Sequence, residues 1–187
     1  MMKFKTALAL LGYLMLSANL SAQTVDHSTM DHASHMATMG DTQRQAEVSE
    51  RGQDVMPFSL DATTHIFIKN QTGGIQQVVA KNPSDATQVS FIREHLQEIR
   101  DQFLKGNFSA PSQIHGQNMP GLATLKAATA GQIMIDYKNI EGGAQLTYRS
   151  ANADLILALH QWFDAQLSDH GNDAMSGHGN QAGMMKH

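Results

Sequence analysis

TTHIFIK (63–69), NQTGG (70–74), IQQVVAK (75–81), NPS (82–84) and DATQVSFIREHLQEIRDQFLKG (85–106) form the stretch that decides the fold. Thr63 to Lys69 is β-branched and aromatic, Asn70 to Gly74 carries turn residues, and Ile75 to Lys81 is a second strand-like run. Together they predict a β-hairpin. Asn82-Pro83-Ser84 breaks it. Asp85 is the expected N-cap of a helix, with Gln88 as its capping-box partner. Val89, Ile92, Leu96, Ile99 and Phe103 recur at helical spacing and give that helix one apolar face. Gly106 ends it.

A similar unit recurs downstream. Gln132 to Tyr137 alternates, with Ile133, Ile135 and Tyr137 on one face; Asn139 to Gly143 turns; Ala144 to Arg149 returns with Leu146 and Tyr148 facing one way. Asn152 or Asp154 then caps a helix running to Asp169, with Leu155, Leu159, Trp162, Phe163 and Gln166 along one stripe. The halves align at an offset of 69 residues, Gly73-Gly74 on Gly142-Gly143 and Asp85 on Asp154. Between them, 108–118 is expected as loop and Pro120 to Ala130 as a short helix. The fold expected is α+β: two ββα units, a four-stranded antiparallel sheet, and helices on one face.

Outside this core the composition changes. Asp26 to Asp41 packs His27, Met30, His32, His35, Met36 and Met39 among Ser, Thr, Ala, Gly and Asp. Such a segment has little to bury and is expected to be disordered alone. Thr42 to Asp54 is polar without apolar period and is expected as linker. The far end repeats the pattern with His170, Met175, His178, Met184, Met185 and His187. Imidazole nitrogen and thioether sulfur together suit Cu(I), with Ag(I) as its soft analogue. A flexible arm that orders on binding gives up affinity and exchanges its ion easily, which suits buffering or hand-off.

Lys3 and Lys5, the apolar run Ala7 to Leu16, and the small-residue exit Ser17 to Ala22 resemble an export signal cleaved after Ala22. The expected organisation is 1–22 signal peptide, 23–54 disordered arm and linker, 55–169 folded domain, 170–187 disordered tail. The expected location is periplasmic or secreted. No apolar run after the signal is long enough to span a bilayer. The formal charge is −4, and losing Lys3 and Lys5 with the signal makes the mature chain more acidic. That argues against nucleic acid and anionic membrane as partners. The chain has no cysteine, which excludes a disulfide framework. It also fits a soft-metal binder outside the cytosol, where thiolates oxidise and a thioether persists as a ligand needing no deprotonation.

Within the domain, His95, His115 and His160, with Asp164 one turn after His160, are the candidates for a preformed metal or small-ligand site. No Gly-x-Ser-x-Gly turn, phosphate loop or His-Glu-x-x-His motif is present, so no catalytic residue is expected. The single Trp162 is expected in the core. Three functions compete: a Cu(I)/Ag(I) buffer or relay contributing to metal tolerance; a small-ligand domain or enzyme built on the core histidines; and a docking module for a copper exporter or oxidase.

The arms resemble the Met/His-rich segments of bacterial periplasmic copper- and silver-handling proteins. The core resembles a group of small exported bacterial proteins of unassigned function, some of which carry the name aspartate carbamoyltransferase. The residues that carry this are Met56-Pro57-Phe58, His115-Gly116-Gln117-Asn118-Met119-Pro120-Gly121-Leu122, and His160-Gln161-Trp162-Phe163-Asp164-Ala165-Gln166-Leu167. True carbamoyltransferases are cytosolic, with two α/β domains and a Ser-Thr-Arg-Thr phosphate-binding motif. This chain has no such motif, so the name is unsupported and carries no catalytic residue over.

Overall fold

The computed structural model describes residues 27–177, with side chains from 41 onward. Its helices are α1 (His27–Val55), α2 (Ala86–Leu104), α3 (Ser109–His115), α4 (Leu122–Lys126) and α5 (Ala153–His170). Its strands are β1 (Thr63–Asn70), β2 (Gly73–Ala80), β3 (Met134–Ile140), β4 (Gly143–Arg149) and β5 (Ala174–Ser176). The architecture is α+β, as expected.

Both hairpins form, and each is followed by its long helix. β1 pairs antiparallel with β2, and β3 with β4. The hairpins join through β2 and β4, giving the order β3-β4-β2-β1-β5. Alternation decides which face is covered: Thr63, His65 and Phe67 point inward from β1, Gln76 and Val78 from β2, Leu146 and Tyr148 from β4. α2 and α5 lie on that face. Their stripes, Val89, Ile92, Leu96, Ile99 and Phe103 on one, Leu155, Leu159, Trp162 and Phe163 on the other, are the buried core. Gly143 permits the join between the hairpins, since a Cβ there would lie 2.0 Å from the Val78 carbonyl oxygen.

Asp85 caps α2 by accepting from the Gln88 N–H at 3.1 Å. The capping box is only half made: the Gln88 side chain accepts from the Ser59 N–H instead. Asn152, not Asp154, caps α5, accepting from the Asp154 and Leu155 N–H groups.

Four expectations are corrected. The sheet is five-stranded and mixed, not four-stranded antiparallel. After Gly171 the chain turns and lays β5 parallel to the free edge of β1. Lys81 to Asp173 at 2.9 Å and the Gly177 N–H to the Phe67 carbonyl at 3.0 Å hold it there. Residues 170–177, expected within a disordered tail, therefore belong to the fold. Residues 27–41, expected as a disordered arm, and Thr42 to Asp54, expected as linker, are both helical in α1, and the latter part packs on α3 and α5 with Val48 buried. The packed domain is accordingly wider than 55–169. Finally, most of the expected loop 108–118 is α3. Pro111 is tolerated because the first-turn N–H groups of a helix need no intrahelical acceptor.

Among the described residues, no helix is long and apolar enough to cross a membrane. The signal-peptide reading falls on residues outside the described range.

Candidate functional site

The site grows from the C-terminal end of α5, where Asp169 is buried and His170 is half-buried with its Nε2 enclosed. The Asp169 carboxylate faces two donors. His115 Nδ1 lies 2.9 Å from Oδ2. Arg44 of α1 approaches in a fork, Nε to Oδ1 at 2.5 Å and Nη2 to Oδ2 at 2.8 Å. Burial pushes the Asp169 carboxyl up, but the hydrogen bonds and charges of His115 and Arg44 outweigh it and hold it below its ordinary value. An ionised carboxylate can only accept, so Nδ1 of His115 carries the hydrogen, which leaves Nε2 as the ring's ligating atom in the neutral tautomer.

His170 lies against two other imidazoles. It stacks on His65 with centroids 4.7 Å apart and planes 8° from parallel. It meets His115 edge-on at 5.0 Å and 82°. Two cationic rings would repel at this distance, and burial adds to the preference for the neutral forms. Desolvation first, then the neighbouring His115, pulls His170 down to about 4, against the opposing pull of Asp169 and Asp173. His65 is pushed well below its ordinary range by burial and then by His170, His115 and His95. His95, on α2, is lowered by burial despite Glu98. Neutral imidazole is the ligating form.

Two hollows flank this cluster. An inner cavity of about 40 Å³ is bounded by His65, His95, His115, Trp162, Gln166 and Met56, with Phe58, Leu96 and Phe103 among its apolar walls. An outer cleft of about 500 Å³ is lined by Arg44, Asn118, Met119, Ser168 and Asp169 among others. His115 is the one described residue on both walls. His65 Nδ1 and Trp162 Nε1, both on residues of the cavity wall, are buried without a hydrogen-bond partner, and so is His170 Nε2. Each such atom carries a cost unless something meets it.

α1 closes the outer side. Besides Arg44, Arg51 Nε donates to the Ile114 carbonyl at 2.7 Å, and Arg44 Nη2 to the His115 carbonyl at 3.2 Å. These cations satisfy carbonyls at the C-terminal end of α3, where the helix leaves them without partners. Gln45 Nε2 reaches the Ser168 carbonyl at 3.0 Å.

No family model matches the chain, and no curated protein or solved structure matches it either.

The structure sorts the expected site residues. His95 and His115 come together on the cavity wall. His160 does not join them: its Nε2 faces the Asn70 and Gly73 carbonyl oxygens at 3.0 and 2.8 Å, tying α5 to the first hairpin turn. Asp164 pairs with Lys69 at 2.6 Å. His170, expected as a ligand in a disordered tail, is a half-buried member of the domain at the end of α5. Met175 sits on β5 and is exposed. The side chains of His27, Met30, His32, His35, Met36 and Met39, and all of His178, Met184, Met185 and His187, lie outside the described residues. Sequence reasoning missed His65, although the alternation of β1 places it on the same inward face as Phe67. It also missed the Asp169–Arg44 pair, for which a fork between residues 125 apart leaves no local signal. Among the described residues, no group of three or more His, Cys, Asp or Glu stands ready to hold a metal ion.

Proposed function

We propose that this is an exported protein that binds Cu(I), and Ag(I) in its place, to buffer or relay the ion and so contribute to metal tolerance. Its Met/His-rich segments capture the ion, and the α+β domain anchors them. One observation of the fold supports this reading above the others: both segments are rooted at the same place. Arg44 and Gln45, a few residues after Met39, contact Ser168 and Asp169, a few residues before Met175. Thioether and imidazole donors are individually modest ligands, so useful affinity needs several around one ion. Two segments rooted side by side raise the effective concentration of each one's donors for an ion held by the other.

The rival small-ligand reading meets a size argument. The inner cavity, at about 40 Å³, is far below the roughly 300–1,000 Å³ of pockets that take organic ligands. The outer cleft is large enough, and His115 with Asp169 at its edge favours a polar ligand there as the second reading. The two are separated by a competitive Cu(I) titration of the mature chain. Beside it stands a full-length variant with His27, Met30, His32, His35, Met36, Met39, Met175, His178, Met184, Met185 and His187 replaced by Ser or Gln. Point replacement is needed because cutting the chain at 55 and 169 would strip α1, His170 and β5 from the fold. The proposal expects a large loss of Cu(I) capacity in the variant. Equal capacity in both chains, or none in either, overturns it.

A further inference from the structure

We propose that the inner cavity between α2, α5 and β1 is itself a site for a single soft monovalent cation, Cu(I) or Ag(I). His65 and His115 are its principal ligands, with His95 and the Met56 thioether on the same wall. The proposal rests on the soft-metal reading above and adds an internal site to it.

Three observations carry it. The first is size. A cavity of about 40 Å³ holds about three waters at roughly 10–15 Å³ each, or one ion with little else. That is far below the roughly 300–1,000 Å³ of pockets that take organic ligands.

The second is the donor set. His65 Nδ1 is buried without a partner, on a ring that burial keeps neutral. His115 has Nδ1 engaged by Asp169, so Nε2 remains for an ion. A histidine that gives its other N–H to a carboxylate is the common arrangement at metal sites, where the carboxylate fixes the tautomer and raises ligand basicity. Cu(I) and Ag(I) accept as few as two donors, so the absence of a ready group of three does not count against them.

The third is charge. No Asp, Glu, Lys or Arg lines the cavity among the described residues. An anion would find no cation, and a divalent ion no carboxylate. Ion desolvation cost grows with the square of the charge, so a monovalent soft ion is the one this wall can compensate through imidazole and thioether. Its path is also defined. His115 lines both the outer cleft and the inner cavity, and the cleft opens beside Arg44 and Asp169, where the Met/His segments are rooted. An ion captured outside meets His115 first and His65 beyond it.

Trp162, the only tryptophan in the chain, lies on the cavity wall and reports on its contents. The experiment takes the full-length variant lacking the outer Met and His donors, titrates it with Ag(I) in chloride-free buffer, and follows Trp162 emission. The expected result is a saturable fall in emission complete at a single equivalent. His65→Phe should abolish it while far-UV circular dichroism and the thermal transition show a folded protein. Asp169→Asn, which leaves His65 in place and loosens the orientation of His115, should weaken it by roughly 10- to 100-fold. If His65→Phe does not fold, Asp169→Asn and His115→Gln decide the matter. Unchanged Trp162 emission overturns the internal site, with the cavity then holding water only, and leaves the outer-segment reading standing if the intact chain still binds Ag(I). A quench of the same affinity in His65→Phe, or in both Asp169→Asn and His115→Gln, overturns it too. Failure of the intact chain to bind Ag(I) by competition overturns both.

Discussion

Mild acid should loosen this fold before any carboxylate titrates, and His170 sets the size of the effect. In the native state desolvation, with His115 beside it, holds its imidazole down at about 4, against an ordinary value of 6.5. The unfolded chain therefore binds a proton that the native chain refuses throughout that interval. Stability rises with pH wherever the unfolded state binds more protons. The contribution is thus fully retained above about pH 7.5 and shrinks as pH falls through 6.5 towards 4. A gap of about 2.5 units corresponds to roughly 3 kcal/mol in all, of which about 2 kcal/mol is lost by pH 5. His65 and His95, lowered by burial as well, act in the same direction. Asp169 does not oppose them: its lowered value means its own contribution is lost only at still lower pH. Set against a typical total of about 5–15 kcal/mol, this is a large fraction. The assay is urea unfolding followed by Trp162 emission between pH 8 and pH 5. His170→Phe should be measured in parallel and should show a shallower dependence by about one proton over the same interval. Equal unfolding free energies at pH 7.5 and pH 5 would contradict this expectation, because they would mean that the three imidazoles are not held neutral in the native state.

Two further outcomes follow from single contacts. Asp169→Ala removes the common acceptor of Arg44 and His115; with Arg44 half exposed, a loss of about 2–4 kcal/mol in urea unfolding is expected, and a loss below about 0.5 kcal/mol would mean the pair is not formed. Gly121→Ala should cost more than about 2 kcal/mol, since Gly121 sits at φ +76° and a Cβ would stand 2.1 Å from the Ala158 carbonyl oxygen; a wild-type melting temperature would contradict the close packing of α4 on α5.

Much of the fold is legible in the chain because local rules and burial agree there. Hydrophobic alternation, the Gly-rich turns, the Asp85 and Asn152 caps and the two apolar stripes all point to paired ββα units. The missed elements lack such agreement. α1 docks through Val48, a glycine at 52 pressed against Leu60, and arginines aimed at backbone carbonyls. None of these gives a hydrophobic period. β5 is three residues long, too short to alternate, and exists because β1 offers an unpaired edge just where α5 ends. The cluster was half legible. His95 and His115 were named from position, whereas His160 faces the hairpin turn although its helical spacing matches the core stripe. His170 belongs by composition to the tail and by packing to the core, so composition misassigned it. Tertiary contact, which composition cannot register, brings Asp169, Arg44 and His115 together.

On the proposed reading, methionine and histidine side chains of this one chain hold a soft metal ion together. Methyl-resolved NMR of the methionines in the intact mature protein, with increasing Ag(I), tests it most directly. The account predicts that Met30, Met36, Met39, Met175, Met184 and Met185 shift together as the outer donors fill, and that Met56 shifts with the cavity, while Met134, exposed on the edge strand β3, stays still. Shifts absent from the outer methionines, or spread evenly over every methionine including Met134, would contradict it.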